Sequence, residues 1–238
     1  MRSPLLLAAM SLPALVACES VDSSDVLTSG MYADLTAQTE GDGSTRATAT
    51  LRVGGGTSNT FVRLGADDQL TVNLAETTLE MEEVSIGELY SYIADFDSSD
   101  PGSTFNFAFN RVVDEGAPSS TATLPEPFTL VGPQPAEVFS RTTQDISVNW
   151  ENSNMGDPME VRVSGDCILD ASLAVAQDSG SFLIEADTLE SFEGTVDQAC
   201  DATISVYRRR PGTLDVGFGE GGLVYGSQLR TVKIRLDP

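Results

Sequence analysis

Reactive side chains are few in this sequence, and the missing types narrow the chemistry. There are three cysteines, Cys18, Cys167 and Cys200, and no histidine. Without an imidazole there is no Ser-His or Cys-His nucleophile pair, no histidine general base and no histidine ligand for zinc. Carboxylates are plentiful, with 36 Asp and Glu against 13 Lys and Arg and a formal charge of −23. Glu80, Glu82 and Glu83 invite comparison with a glycosidase pair, yet Glu80 and Glu82 alternate with Leu79 and Met81, as on the wet face of a strand. Such a pair works only when it flanks a cleft, and the sequence shows none. Asp95, Asp97 and Asp100 offer oxygen ligands for calcium in a Gly/Ser-rich turn, but not at the spacing of a helix-loop-helix calcium site. The residues therefore predict no enzyme, no catalytic residue, no metal and no cofactor. The competing class is a calcium-dependent carbohydrate binder or hydrolase working through acidic loops.

The charge balance excludes partners as well. Nothing resembles a basic footprint for nucleic acid, and no polybasic segment is available for anionic lipid. The one dense positive run is Arg208, Arg209 and Arg210.

The start of the chain carries an address. Met1-Arg2-Ser3-Pro4 is short and basic, and Leu5 to Ala17 is almost continuously apolar, the layout of a signal peptide. This stretch falls well short of the roughly twenty residues that a membrane-spanning helix needs. Leu15-Val16-Ala17-Cys18 resembles the lipobox of bacterial lipoproteins, whose cysteine is acylated and becomes the mature N-terminus. The resemblance implies acyl chains of the palmitate type on Cys18, a membrane reached through that lipid, and a folded part outside the cytoplasm. Glu19, rather than Asp, follows the cysteine and points to the outer membrane. With Cys18 assigned to lipid, Cys167 and Cys200 remain in an oxidising compartment and are expected to form a disulfide.

Positioning elements follow from periodicity. Residues 19–30 are small and polar, and with Cys18 they read as a tether over 18–30. From there the period is two. Thr45, Ala47, Ala49, Leu51 and Val53 fall on one side of a strand, with Arg46, Thr48, Thr50 and Arg52 on the other. The alternation recurs at Leu70/Val72/Leu74, Tyr90 to Phe96 and Phe105/Phe107/Phe109, then at Ile146 to Trp150, Met159 to Val163 and Val232 to Leu236. Thr188 to Ala199 reads as a short helix. The prolines between Pro125 and Pro135 place a boundary near Gly132. The expected architecture is all-β: a signal peptide (1–17), the tether, and two tandem antiparallel β-sandwiches over 31–131 and 132–238.

Asp145 to Trp150 followed by Met159 to Val163 resembles the second and third strands of a fibronectin type III domain. The resemblance implies a seven-strand immunoglobulin-like sandwich around a buried Trp150. Cys167 would then end the third strand and Cys200 begin the sixth, its antiparallel neighbour. It also places the glycine-rich segment 211–226 between the last two strands, where such domains often bind. Arg208, Arg209, Arg210, Asp215, Phe218 and Tyr225 are the candidate binding residues there. In the simpler reading the arginines pair with the protein's own carboxylates, and Leu214 and Phe218 pack on the domain. Gly217, Gly219 and Gly222 match Gly-x-Gly-x-x-Gly, but a strand pattern rather than a helix follows, so no dinucleotide site is predicted. The expected partner is an envelope or cell-surface protein or polysaccharide.

Overall fold

A computed structural model describes residues 19–65 and 67–238. The signal peptide and Cys18 lie outside the described residues. The first ten strands are β1 (Glu19–Asp22), β2 (Met31–Thr39), β3 (Thr45–Val53), β4 (Thr60–Arg63), β5 (Gln69–Leu74), β6 (Thr77–Glu80), β7 (Glu82–Ile86), β8 (Leu89–Phe96), β9 (Thr104–Asn110) and β10 (Ala117–Thr123). One sheet runs β1-β4-β3-β2, with β8 on β3 and β7 on β8; it faces a second sheet, β10-β9-β5-β6. The inward positions of both are apolar, as the period-two pattern demands. Ala33, Leu35, Ala47 and Leu51 meet Leu70, Val72, Phe105, Phe107 and Phe109 in one core.

Strands β11 (Thr129–Gly132), β12 (Val138–Ser140), β13 (Ile146–Glu151), β14 (Met159–Gly165), β15 (Ile168–Val175), β16 (Ser181–Ile184), β17 (Cys200–Pro211) and β18 (Gly222–Asp237) complete the chain. The three-stranded sheet β11-β13-β16 faces β15-β14-β17-β18, and β12 lies parallel to the end of β18. These seven strands, three against four, form a sandwich of the strand number that the resemblance implies, with Trp150 buried in its core. β14 runs antiparallel to β17 with Gly165 opposite Ala202, so Cys167 and Cys200 meet, bonded, with their Cα atoms 5.8 Å apart. Thr188 to Ala199 forms turns instead of the expected helix. Carbonyls there are turned to the buried guanidinium of Arg141, which donates to Thr195 O (3.3 Å), Val196 O (2.8 Å) and Gln198 O (3.0 Å).

Two expectations about chain organisation change. Residues 19–30 do not stand off as a tether: β1 pairs in parallel with β4, and Ser23 and Thr28 are buried. Their small hydroxyls are sequestered because each finds a partner, Ser23 on Asp68 (2.7 Å) and Thr28 on the Glu115 carbonyl (2.5 Å). Nor do residues 212–228 belong to the second sandwich alone. Gly222 to Gln228 pair in parallel with Ala33 to Thr39 of β2, while the rest of β18 continues beside β17 into the second sandwich. Phe218 and Val224 sit in the first core, with Phe218 stacked on Phe109. The glycines permit this return. A β-carbon at Gly212 would overlap the Thr121 carbonyl oxygen, and one at Gly226 the Thr123 carbonyl oxygen. The two sandwiches thus share a continuous strand.

Candidate binding face

Alternation along β17 sends the arginine triplet to opposite sides of the sheet. Arg208 points inward and is wholly buried, bonded to Asp178 (3.0 Å) and the Glu126 carbonyl (2.9 Å) and stacked over Phe128. Arg210 makes two bonds to Asp157, at 3.0 and 2.8 Å. Arg209 points outward and pairs with Glu160. All three therefore meet this chain's own carboxylates. Asp215 is also committed, accepting from the backbone amides of Ser119 and Gly217, both at 2.8 Å. Of the six loop candidates, Arg208 and Arg210 tie Asp178 and Asp157 to the carbonyls of Glu126 and Leu124, and Asp215 and Phe218 pin the loop to the first sandwich. Only Arg209 and Tyr225 remain together on an accessible surface.

That surface is the outer side of the shared sheet. β2 contributes Tyr32, Asp34, Thr36 and Gln38; β18 contributes Leu223, Tyr225 and Ser227; β17 contributes Tyr207 and Arg209; β14 contributes Glu160 and Arg162. The Arg209 guanidinium lies 4.6 Å from the Tyr207 ring centre and 5.7 Å from that of Tyr225, and Arg162 covers Tyr207 at 5.2 Å. Burial pushes the Glu160 carboxyl up, but hydrogen bonds from Arg162 and Ser172 and the charge of Arg209 outweigh it and hold the group below its ordinary value. Arg52 pairs with Asp34 at the rim. The residues enclose a shallow cavity of about 270 Å³. Ser227 lines it, is buried, and its Oγ has no hydrogen-bond partner.

Arg46, Arg52, Arg162, Arg209, Lys233 and Arg235 all occupy outward register positions on the large sheet, interleaved with Asp34, Asp95, Glu160 and Asp201, with which the arginines pair. Stacked guanidiniums with phenol and amide groups suit a planar polar group such as a carboxylate. Sequence reasoning missed Tyr207, Asp34, Gln38 and Ser227. Their signal was present as outward positions of alternating strands, but nothing local says that β2 and β18 are neighbours.

The acidic candidates take other roles. Asp95 is held by Arg46 through two bonds, at 2.8 and 3.0 Å, which draw its carboxyl below the ordinary range. Among the described residues no three His, Cys, Asp or Glu side chains gather as metal ligands. Glu80, Glu82 and Glu83 do line an open cleft of about 530 Å³, with Asp68 and Tyr92, where the sequence suggested none. The cleft arises because the chain crosses from one sheet to the other at buried Met81, ending β6 and starting β7. Its buried polar groups serve the fold: Asp68 pairs with Arg111 at 3.1 Å, and the Tyr92 hydroxyl accepts from the Leu64 amide at 2.8 Å.

No protein-family model matches this chain, and no curated protein sequence matches it. Solved structures with some likeness include the FN1–FN3 domains of chicken CNTN1, at 13% identity and a TM-score of 0.29 over 92% of this chain and 65% of that one. A titin I-band fragment gives 11% identity and a TM-score of 0.24, covering 87% of this chain and 65% of that one. Dpr11 IG1 bound to DIP-gamma gives 9% identity and a TM-score of 0.24, covering 86% and 96%. The chain spans 65% of the length of the first two. Its sandwich architecture rests on its own strand order.

Proposed function

We propose that this chain is a lipid-anchored module of the bacterial envelope, held outside the cytoplasm, which binds a carboxylate-bearing envelope or cell-surface protein or polysaccharide through the outer face of the shared sheet. The observation that carries the binding reading is the solvent-open cavity on this face, where the Arg209 guanidinium lies over the Tyr207 and Tyr225 rings beside Gln38. The export reading is supported by Leu15 to Cys18 and by the bonded Cys167–Cys200 pair, which is at home in an oxidising compartment.

Lipid labelling of the intact chain against Cys18→Ala tests the anchor. Wild type is expected to take up labelled fatty acid and the variant none; equal labelling would sink it. For the face, co-sedimentation with purified envelope polysaccharide and protein fractions compares wild type with Arg209→Ala and Tyr225→Ala. Both variants are expected to lose at least about tenfold in affinity, the scale of an anchor residue at a binding site. Unchanged binding by either folded variant, or binding by wild type to neither fraction, would overturn the reading.

A further inference from the structure

We infer that the pole of the first sandwich beside the chain start is a membrane seat, pressed into the headgroup layer by the anchor; the inference rests on the reading of Cys18 as lipidated. Strand β1 begins at Glu19, whose amide already donates to the Asn59 carbonyl at 3.1 Å. Cys18 is its immediate neighbour in sequence. One residue extends a chain by only about 3.3–3.6 Å, so acyl chains on Cys18 would hold this pole against the bilayer with no slack.

The pole has the surface that such contact requires. Glu19, Met31 and Val53 lie at one level of the large sheet, since β1 starts opposite Thr60 of β4, and both Thr60 and Met31 sit opposite Val53. Around that level the molecule exposes large apolar side chains: Leu27 at 64%, Ile86 at 81%, Val112 at 74%, Val113 at 63% and Val216 at 97%. They come from four separate segments. Ile86 is opposite Leu89 at the tip of the β7–β8 hairpin, tied to the chain start by a bond from Ser20 to Glu88. Val112 and Val113 are on the β9–β10 loop, which Arg111 and Asp114 fasten to residues 23–28. Val216 is on the loop lining a cavity with Thr28, Asp114 and Glu115. Exposed valine, leucine and isoleucine converging from unrelated segments on one pole form a surface that inserts shallowly into an interface. Asp25, Glu88, Glu115 and Glu220 share the pole, so the lipid it fits is zwitterionic rather than anionic.

The test uses the full lipidated chain with a single added thiol, since Cys18 would be acylated and Cys167 and Cys200 are bonded. Ile86→Cys, Val216→Cys and, on the far sandwich, Leu183→Cys are each labelled with an environment-sensitive fluorophore and reconstituted into phosphatidylethanolamine vesicles. Labels at 86 and 216 are expected to shift to the blue and lose iodide quenching several-fold, while the label at 183 stays water-like. Flotation with the vesicles but water-like labels at 86 and 216 would overturn the seat and leave the anchor standing. A chain that does not float removes the anchor and the seat with it. Shielding that appears without vesicles and grows with protein concentration would assign the pole to a second copy of the chain instead.

Discussion

Arg111 is the residue on which the entry of the chain depends. Its side chain is fully buried, paired with Asp68 (3.1 Å) and Asp114 (3.2 Å), and it donates to the carbonyls of Ser23 and Val26 and to the Thr28 hydroxyl. Arg111→Met would leave Asp68 charged and buried without its partner, a change that costs about 3–5 kcal/mol. Urea unfolding of the variant should show that loss, and adding Asp68→Asn should recover part of it. Tyr92 makes a second, pH-dependent contribution. Burial pushes its hydroxyl up from 10.0 to about 12, so the folded state holds the proton more tightly than the unfolded chain. That stability is complete below pH 10 and is lost as the pH rises through about 12. Tyr92→Phe should cost about 1 kcal/mol at neutral pH, because the Leu64 amide and Val62 carbonyl lose a partner. It should also flatten the alkaline fall, read by thermal melting between pH 9 and pH 12. Neither role was legible in the sequence, where a lone arginine in an acidic chain reads as a surface charge and burial depends on contacts far away in the chain.

Strands were legible wherever one face is buried, because alternation is a local property. Thr45 to Val53, Phe105 to Phe109 and Ile146 to Trp150 lie where the pattern put them. The bonded cysteines followed once Cys18 was set aside. The joining of strands was not legible, since period two is the same whichever strand lies alongside. Residues 19–30 illustrate this: small polar residues read as solvated, yet Ser23 and Thr28 are buried through hydrogen bonds that only the assembled pole supplies. The glycine-rich loop read as freedom to bind, and its glycines instead allow backbones to touch. Gly226→Val should therefore destabilise the protein by about 1–3 kcal/mol through the overlap with Thr123, seen as a lower urea midpoint. Gly30→Val, outside the left-handed region and with only Val26 at an ordinary 3.5 Å from the added β-carbon, serves as the comparison for glycine substitution itself.

For the whole molecule, a shared β18 means that neither sandwich is complete without the other's strand. Calorimetry of the intact chain should give one unfolding transition, and a chain ended at Val131 should show no cooperative melting, because β2 has lost its neighbour and the first core has lost Phe218 and Val224. Two well-separated transitions, or a stable 1–131 fragment, would refute that coupling. The outer face and the seat are likewise properties of the assembly: the first spans strands from both halves, and the second gathers loops from four segments.

The return of β18 also sets an order of events during synthesis. The first sandwich cannot close when its own ten strands have been made, because its missing edge is encoded by Gly222 to Gln228, nearly a hundred residues later. At the usual pace of translation that wait is roughly 5–20 s. Throughout it, the edge of β2 stays open to pairing with any other strand. A chain that cannot finish its first half early stays open and threadable for that interval, which suits the export proposed for it.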